Sequence, residues 1–112
     1  MAARLWYGLG AGGGSMRLTS KKIIQEIEKR KDKLKARGVK KIGLFGSFLK
    51  GRQKKGSDID FLISLEKIDT DSYLGTWVYL EKVFGRKVDL IIERELKPEL
   101  NYVKKEAEYV KI

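Results

Sequence analysis

Three carboxylates and one glycine–serine step are the residues of this chain whose types and spacing could do chemistry. Asp58 and Asp60 stand two apart in the apolar run DIDFLISL at 58–65. On a strand that spacing points both to one face, with Ile59 and Phe61 on the other. Asp89 is the one acid inside KVDLII at 87–92, flanked by Val88 and Leu90. A carboxylate in such surroundings is costly, and three brought together are worse. Two unit charges ~4 Å apart repel by about 4 kcal/mol at an effective dielectric of 20. Either the acids are held apart at strand ends, or divalent cations neutralise them. Asp58 alone reads as a turn residue closing the loop before it. The three together read as a site. The chain has no histidine and no cysteine. That removes the usual nitrogen base, the Ser–His and Cys–His triads and every imidazole or thiolate metal site. All-oxygen ligation then suits Mg²⁺, with Mn²⁺ as a substitute.

Gly46–Ser47 closes the apolar stretch VKKIGLFG at 39–46. Such a turn offers backbone N–H groups and a hydroxyl with no side chain in the way, which makes a nest for a phosphate. Lys50 and Arg52 add positive charge nearby, where each either steadies phosphates or is simply solvated. A phosphate cradle beside a metal site is the equipment that phosphoryl or nucleotidyl transfer needs.

The elements that must position these groups follow from pattern. Thr19 or Ser20 caps a first helix running to about Arg37, with Ile23, Ile24, Ile27 and Leu34 as its apolar stripe and Gly38 as its stop. A strand at 39–46, a polar and basic loop or short helical turn at 47–57 and a strand at 58–65 come next. Asp69 or Asp71 caps a second helix whose apolar face holds Tyr73, Leu74, Trp77, Val78, Leu80, Val83 and Phe84, ending at Gly85. A third strand spans 87–92. Pro98 opens a last helix with Leu100, Val103, Ala107 and Val110 turned inward. The order α-β-β-α-β-α predicts an α+β fold, a small mixed sheet packed with helices.

Length and charge bound the rest. The chain has 112 residues, 36% of them charged, with 25 Lys and Arg against 15 Asp and Glu, a net charge of +10. That length is one small domain, and the charge favours polyanionic partners. No stretch is apolar enough to span a membrane. The Cys-free, Lys/Glu-heavy composition fits a cytoplasmic location. Residues 1–15 hold one charge, Arg4, and end in GGGS before a second methionine. They read as a vector-derived leader, non-native or disordered, ahead of one domain at 16–112. The basic first helix and the loop at 50–55 permit RNA binding. Only Phe48, at the edge of that loop, could serve as a stacking platform, so direct nucleic-acid binding is not favoured.

The segment GSFLKGRQKKGSDID resembles the Gly-Ser-x10-Asp-x-Asp signature of nucleotidyltransferases in the DNA polymerase β superfamily. Ten residues (48–57) separate Ser47 from Asp58-Ile59-Asp60, without a gap. Lys50-Gly51 looks like the family's basic-Gly step, and GRKVDLI at 85–91 looks like the strand with the third acid. Leu49 departs from the pattern, where a small residue is common. ELKPELNYVKKEAEYV at 95–110 looks like the C-terminal helix of the minimal nucleotidyltransferase (MNT) subgroup.

The resemblance implies a polymerase-β-like fold and a role for each group. Asp58, Asp60 and Asp89 would hold two Mg²⁺ ions, and Asp89 would also serve the attacking hydroxyl. Gly46 and Ser47, with Lys50, would bind the phosphates of ATP. Absence of an acceptor domain among these residues implies an open cleft suited to a macromolecule. In the subgroup the usual partner is a HEPN-domain toxin, on which the MNT antitoxin adenylylates a tyrosine. A non-catalytic module that neutralises its partner by occlusion is the alternative.

Overall fold

The computed structural model describes residues 18–54 and 56–112 of the chain. The expected leader at 1–15 lies outside the described residues.

Helix α1 (Ser20–Lys29) starts where the sequence places it, with the Thr19 hydroxyl accepting the Lys22 N–H at 3.2 Å. The single helix expected to about Arg37 is broken at Arg30. Its backbone N–H turns to Ile27 O, while its guanidinium donates to the Glu26 carbonyl and carboxylate. The side chain thus takes the Glu26 carbonyl that the Arg30 backbone N–H leaves. Helix α2 (Lys31–Ala36) follows and buries Leu34.

Strand β1 (Val39–Phe45), the short helix α3 (Gly46–Lys50) and strand β2 (Ile59–Leu65) come next. Helix α4 (Thr70–Phe84) is capped by Asp69, whose carboxylate accepts the Ser72 N–H at 2.7 Å. Strand β3 (Val88–Ile92) leads to two 3₁₀ turns (Glu93–Glu95 and Pro98–Leu100), helix α5 (Asn101–Glu106) and strand β4 (Glu108–Lys111). Among the described residues no helix is long and apolar enough to cross a membrane.

The sheet order is β3-β2-β1-β4. β1 runs antiparallel to β2 and β4, and β2 runs parallel to β3. One face carries Ile42, Leu44, Phe61, Ile63 and Leu90, which pack with Ile23, Ile27, Leu34, Leu80 and Phe84 into the main core. By strand alternation the opposite face carries Lys41, Gly43, Asp60, Leu62 and Asp89. The connection from β3 to β4 passes from one sheet edge to the other on this side. Tyr109 and Ala107 lie against Gly43 there, and Leu62 is fully buried.

Two further expectations are corrected. The last helix stops at Glu106, and Val110 sits in β4 opposite Ile42, so the sheet has a fourth strand. Leu100, Val103, Ala107 and Val110 do recur at helical spacing. Without β4, however, β1 would be an edge with a row of open backbone groups, and pairing outweighs that local pattern. The wide apolar face of α4 is also split. Leu80 and Phe84 are buried, whereas Leu74 and Val78 are 42% and 49% exposed. Tyr73, which packs partly buried against the core, and Trp77 also serve the sheet edge. The Tyr73 hydroxyl donates to Leu90 O at 2.5 Å and the Trp77 indole to Val88 O at 2.8 Å, while the Glu81 carboxylate accepts the Val88 N–H at 3.0 Å. Side chains of α4 thereby pair the outer edge of β3 in place of a neighbouring strand.

The other edge is tied down at Tyr109. Its ring lies so close over Gly43 that a Cβ there would stand 2.7 Å from two ring carbons, and its hydroxyl donates to Glu93 at 2.7 Å. Burial, then the Glu93 carboxylate, hold that hydroxyl's pKa well above its ordinary value. Gly43→Ala is expected to cost ~1–3 kcal/mol of stability through overpacking. In a Tyr109→Leu background the same change should cost clearly less. Urea unfolding of the four proteins measures that coupling.

Candidate active site

The site is built at one end of strands β1, β2 and β3. β1 ends there, β2 begins there, and β3 begins beside it. Register places Phe45 of β1 opposite Asp60 of β2, and Asp60 opposite Asp89 of β3. Parallel neighbours are ~4.8 Å apart, and register partners share a face, so the two carboxylates stand side by side. Asp58 precedes β2, whose first residue, Ile59, donates its N–H to Lys87 O at 3.1 Å. The acids are less buried than the apolar runs suggest. Asp58 and Asp89 are exposed, and only Asp60 is half-buried. The energetic strain of the trio therefore concentrates on Asp60. Burial first, then Asp89, then Asp58, raise its pKa to about 6.

Gly46 is the close neighbour of that carboxylate. Its φ of +77° lies in the left-handed region, and a Cβ on it would stand 2.1 Å from Asp60 Oδ2. Both facts demand glycine, and both bring bare backbone against the acid. Ser47 follows on the first turn of α3, half-buried, and its carbonyl accepts the Arg52 N–H at 2.9 Å. Leu49, the departure from the family pattern, packs partly buried against the core.

Lys50 lies at the far end of α3 and forms a 3.4 Å ion pair with Glu106 of α5. Both side chains are about half exposed, so the pair holds Lys50 only weakly. The loop to Asp58 is anchored by a residue that sequence reasoning missed. Arg86 donates to Ser57 O at 3.2 Å and stacks over the buried Phe48 ring at 5.2 Å. One guanidinium thus links the residue before the first acid to the helix after Gly46. Its only signal in the sequence is a cation between Gly85 and the third strand.

Hard oxygen donors are what this cluster offers, which fits Mg²⁺ or Mn²⁺ and no softer ion. Among the described residues no three acids stand close enough together to form a metal-holding group. Asp60 and Asp89 are adjacent, Asp58 acts electrostatically on Asp60, and the Asp60 carboxylate lies against the bare backbone of Gly46. Those three acids would hold the ion.

Comparison with known proteins gives a consistent picture. The family model described as "Nucleotidyltransferase domain" matches residues 21–112. A Methanocaldococcus jannaschii protein, provisionally named a protein adenylyltransferase, is 41% identical over 92 residues, covering 79% of this chain and 87% of its own. The protein adenylyltransferase MntA of Thermococcus cleftensis is 37% identical over 82 residues, covering 71% and 83%. A solved structure provisionally described as a minimal nucleotidyltransferase has a TM-score of 0.70 and 26% identity, covering 84% of this chain and 98% of that one. Two complexes share the fold. A toxin–antitoxin with AMP-PNP has a TM-score of 0.59 at 24% identity, covering 73% and 70%. A tri-AMPylated HEPN toxin of Shewanella oneidensis with its MNT antitoxin has 0.56 at 19%, covering 78% and 70%.

The elevated pKa of Asp60 has a checkable sign. The folded chain holds that proton up to about pH 6, whereas the carboxyl's ordinary pKa is 3.8. Folding therefore binds a proton, and the stability linked to this group is lost as pH rises between those values. Without added divalent ions, wild type should lose more stability than Asp60→Asn between pH 4 and 7. Urea midpoints across that range measure it, and parallel curves would contradict it.

Proposed function

Since the chain belongs to the nucleotidyltransferase domain family, we propose that it is a protein adenylyltransferase. It transfers AMP from ATP to a tyrosine hydroxyl of a HEPN-domain toxin, in the cytoplasm, and acts as that toxin's antitoxin. The observation that carries the reading is the Asp60–Asp89 register pair beside the bare backbone of Gly46. Adjacent carboxylates that strain one another have little structural purpose and a clear chemical one. The relatives named protein adenylyltransferases, and the complex of an AMPylated HEPN toxin with its MNT antitoxin, support the acceptor class.

The residues divide the work as follows. Asp58, Asp60 and Asp89 would hold Mg²⁺, which when bound supplies charge neutralisation for the triphosphate and a lowered pKa for the attacking hydroxyl. Gly46 and Ser47 bind the β- and γ-phosphates through N–H groups and the Ser47 hydroxyl. Lys50 can leave Glu106 for a phosphate, because a surface pair of this kind is worth only ~0–1 kcal/mol. Asp89, the exposed acid on the edge strand, faces the acceptor and takes its proton. The hydroxyl oxygen bonds to the α-phosphorus, the bond from that phosphorus to the bridging oxygen breaks, and pyrophosphate leaves with the electron pair.

Incubating the chain with its HEPN-domain partner, ATP and Mg²⁺ should add one or more AMP groups to the partner, read by intact mass. Chelation with EDTA should stop the reaction. Asp58→Asn with Asp60→Asn should abolish transfer and with it neutralisation of the toxin. Neutralisation that survives the double change with no AMP attached would assign the protein to occlusion. Gly46→Ala should lower transfer by at least about 100-fold, the scale of losing a positioned phosphate contact.

A further inference from the structure

A groove of about 610 Å³ runs beside β3, on from Asp89. Ile68 and Leu74 from the start of α4 and the loop before it form one wall, and Leu90, Ile91 and Ile92 of the edge strand form the other. Ile68 and Leu74 are 39% and 42% exposed, large apolar side chains left facing solvent. Clustered exposure of that kind marks a place of contact.

Charge says what kind of contact. The chain carries 25 Lys and Arg against 15 acids, yet the groove lining includes Asp69 and Glu95 and no cation. Asp69 is engaged with the Ser72 N–H. Glu95 is exposed and has no ion-pair partner among the described residues. A nucleotide or any other anion does not suit such a lining, whereas a basic and apolar ligand does.

The groove begins at Leu90, the residue after Asp89 on β3, and Asp89 itself is not part of its lining. Ile91 follows Asp89 by two residues on the same strand face, ~7 Å along. The Tyr73 hydroxyl sits between them in effect, fixed on Leu90 O and raised in pKa by burial, then by Asp89, then by Glu95. From Asp89 to the end of β3 is ~10 Å, the length of three extended residues.

We propose that this groove binds the acceptor-bearing segment of the protein substrate. The segment is a short extended stretch with an apolar side chain between Ile68 and Leu74, and a Lys or Arg on Glu95. Its hydroxyl residue is delivered at the Asp89 end. The docking rests on the transfer reading only for what happens to that hydroxyl, and binding can be measured without chemistry.

Titration calorimetry of the HEPN-domain partner into wild type, Leu74→Lys, Glu95→Lys and Val78→Lys tests it. Val78 is an exposed residue of the same helix outside the groove. Leu74→Lys and Glu95→Lys should each weaken partner binding by at least about tenfold. Val78→Lys should bind as wild type, and all four should bind ATP with Mg²⁺ equally. Partner affinity unchanged in Leu74→Lys and Glu95→Lys overturns the proposal, as does equal loss in Val78→Lys. A wild-type dimer dispersed by Leu74→Lys, seen by sedimentation, gives the groove to a second copy and also overturns it. If binding follows the expected pattern while intact mass finds no AMP on the partner, the groove stands and the transfer reading falls.

Discussion

Two carboxylates side by side on neighbouring parallel strands are the constraint around which this fold is arranged. Asp60 and Asp89 occupy register positions where most sheets place apolar or oppositely charged pairs. Their repulsion cannot be relieved by sliding a strand. A shift of one residue would send Phe61 and Leu90 out of the core. It is tolerated because the pair lies at the strand starts, with Asp89 open to water and only Asp60 half enclosed. The protein therefore keeps one acid with a pKa near 6 beside a glycine that admits no side chain.

The rest of the structure holds those strands in register. β2 is central, and its apolar residues Ile59, Phe61 and Ile63 are fully or almost fully buried. The outer edge of β3 is satisfied by Trp77, Tyr73 and Glu81 of α4, so the strand bearing Asp89 is fixed from both sides. The edge beyond β1 is covered by β4, and the chain reaching it crosses the second face, on which Leu62 is fully buried. Arg86 then couples the turn before Asp58 to α3 through Ser57 and Phe48. Each tie shortens the freedom of one group in the site, which is how a small domain can position a reacting cluster.

Much of this was legible in the sequence because the chemistry is carried by short spacings. Asp58, Asp60 and Asp89 interrupt apolar runs, and Gly46–Ser47 ends one. Strand periodicity and register then bring them to one end of the sheet. Three features of the fold were not legible. Val110 recurs at helical spacing with Val103 and Ala107, and only the unsatisfied edge of β1, a tertiary fact, decides for a strand. The apolar residues of α4 look alike in sequence. Whether a side chain enters the core, caps an edge strand or faces solvent depends on where β3 lies, so Leu80, Trp77 and Leu74 take three different roles. The break at Arg30 depends on a side chain replacing a backbone donor, which no periodicity reports.

The central claim is that the three acids converge on a divalent cation next to the Gly46 turn. Its most direct test is a crystal of this chain grown with Mn²⁺ and a non-hydrolysable ATP analogue, with anomalous scattering recorded to locate the manganese. Manganese should be bound by carboxylate oxygens of Asp58, Asp60 and Asp89, with the triphosphate against Gly46 and Ser47. Manganese elsewhere, or an analogue bound away from these residues, would contradict it.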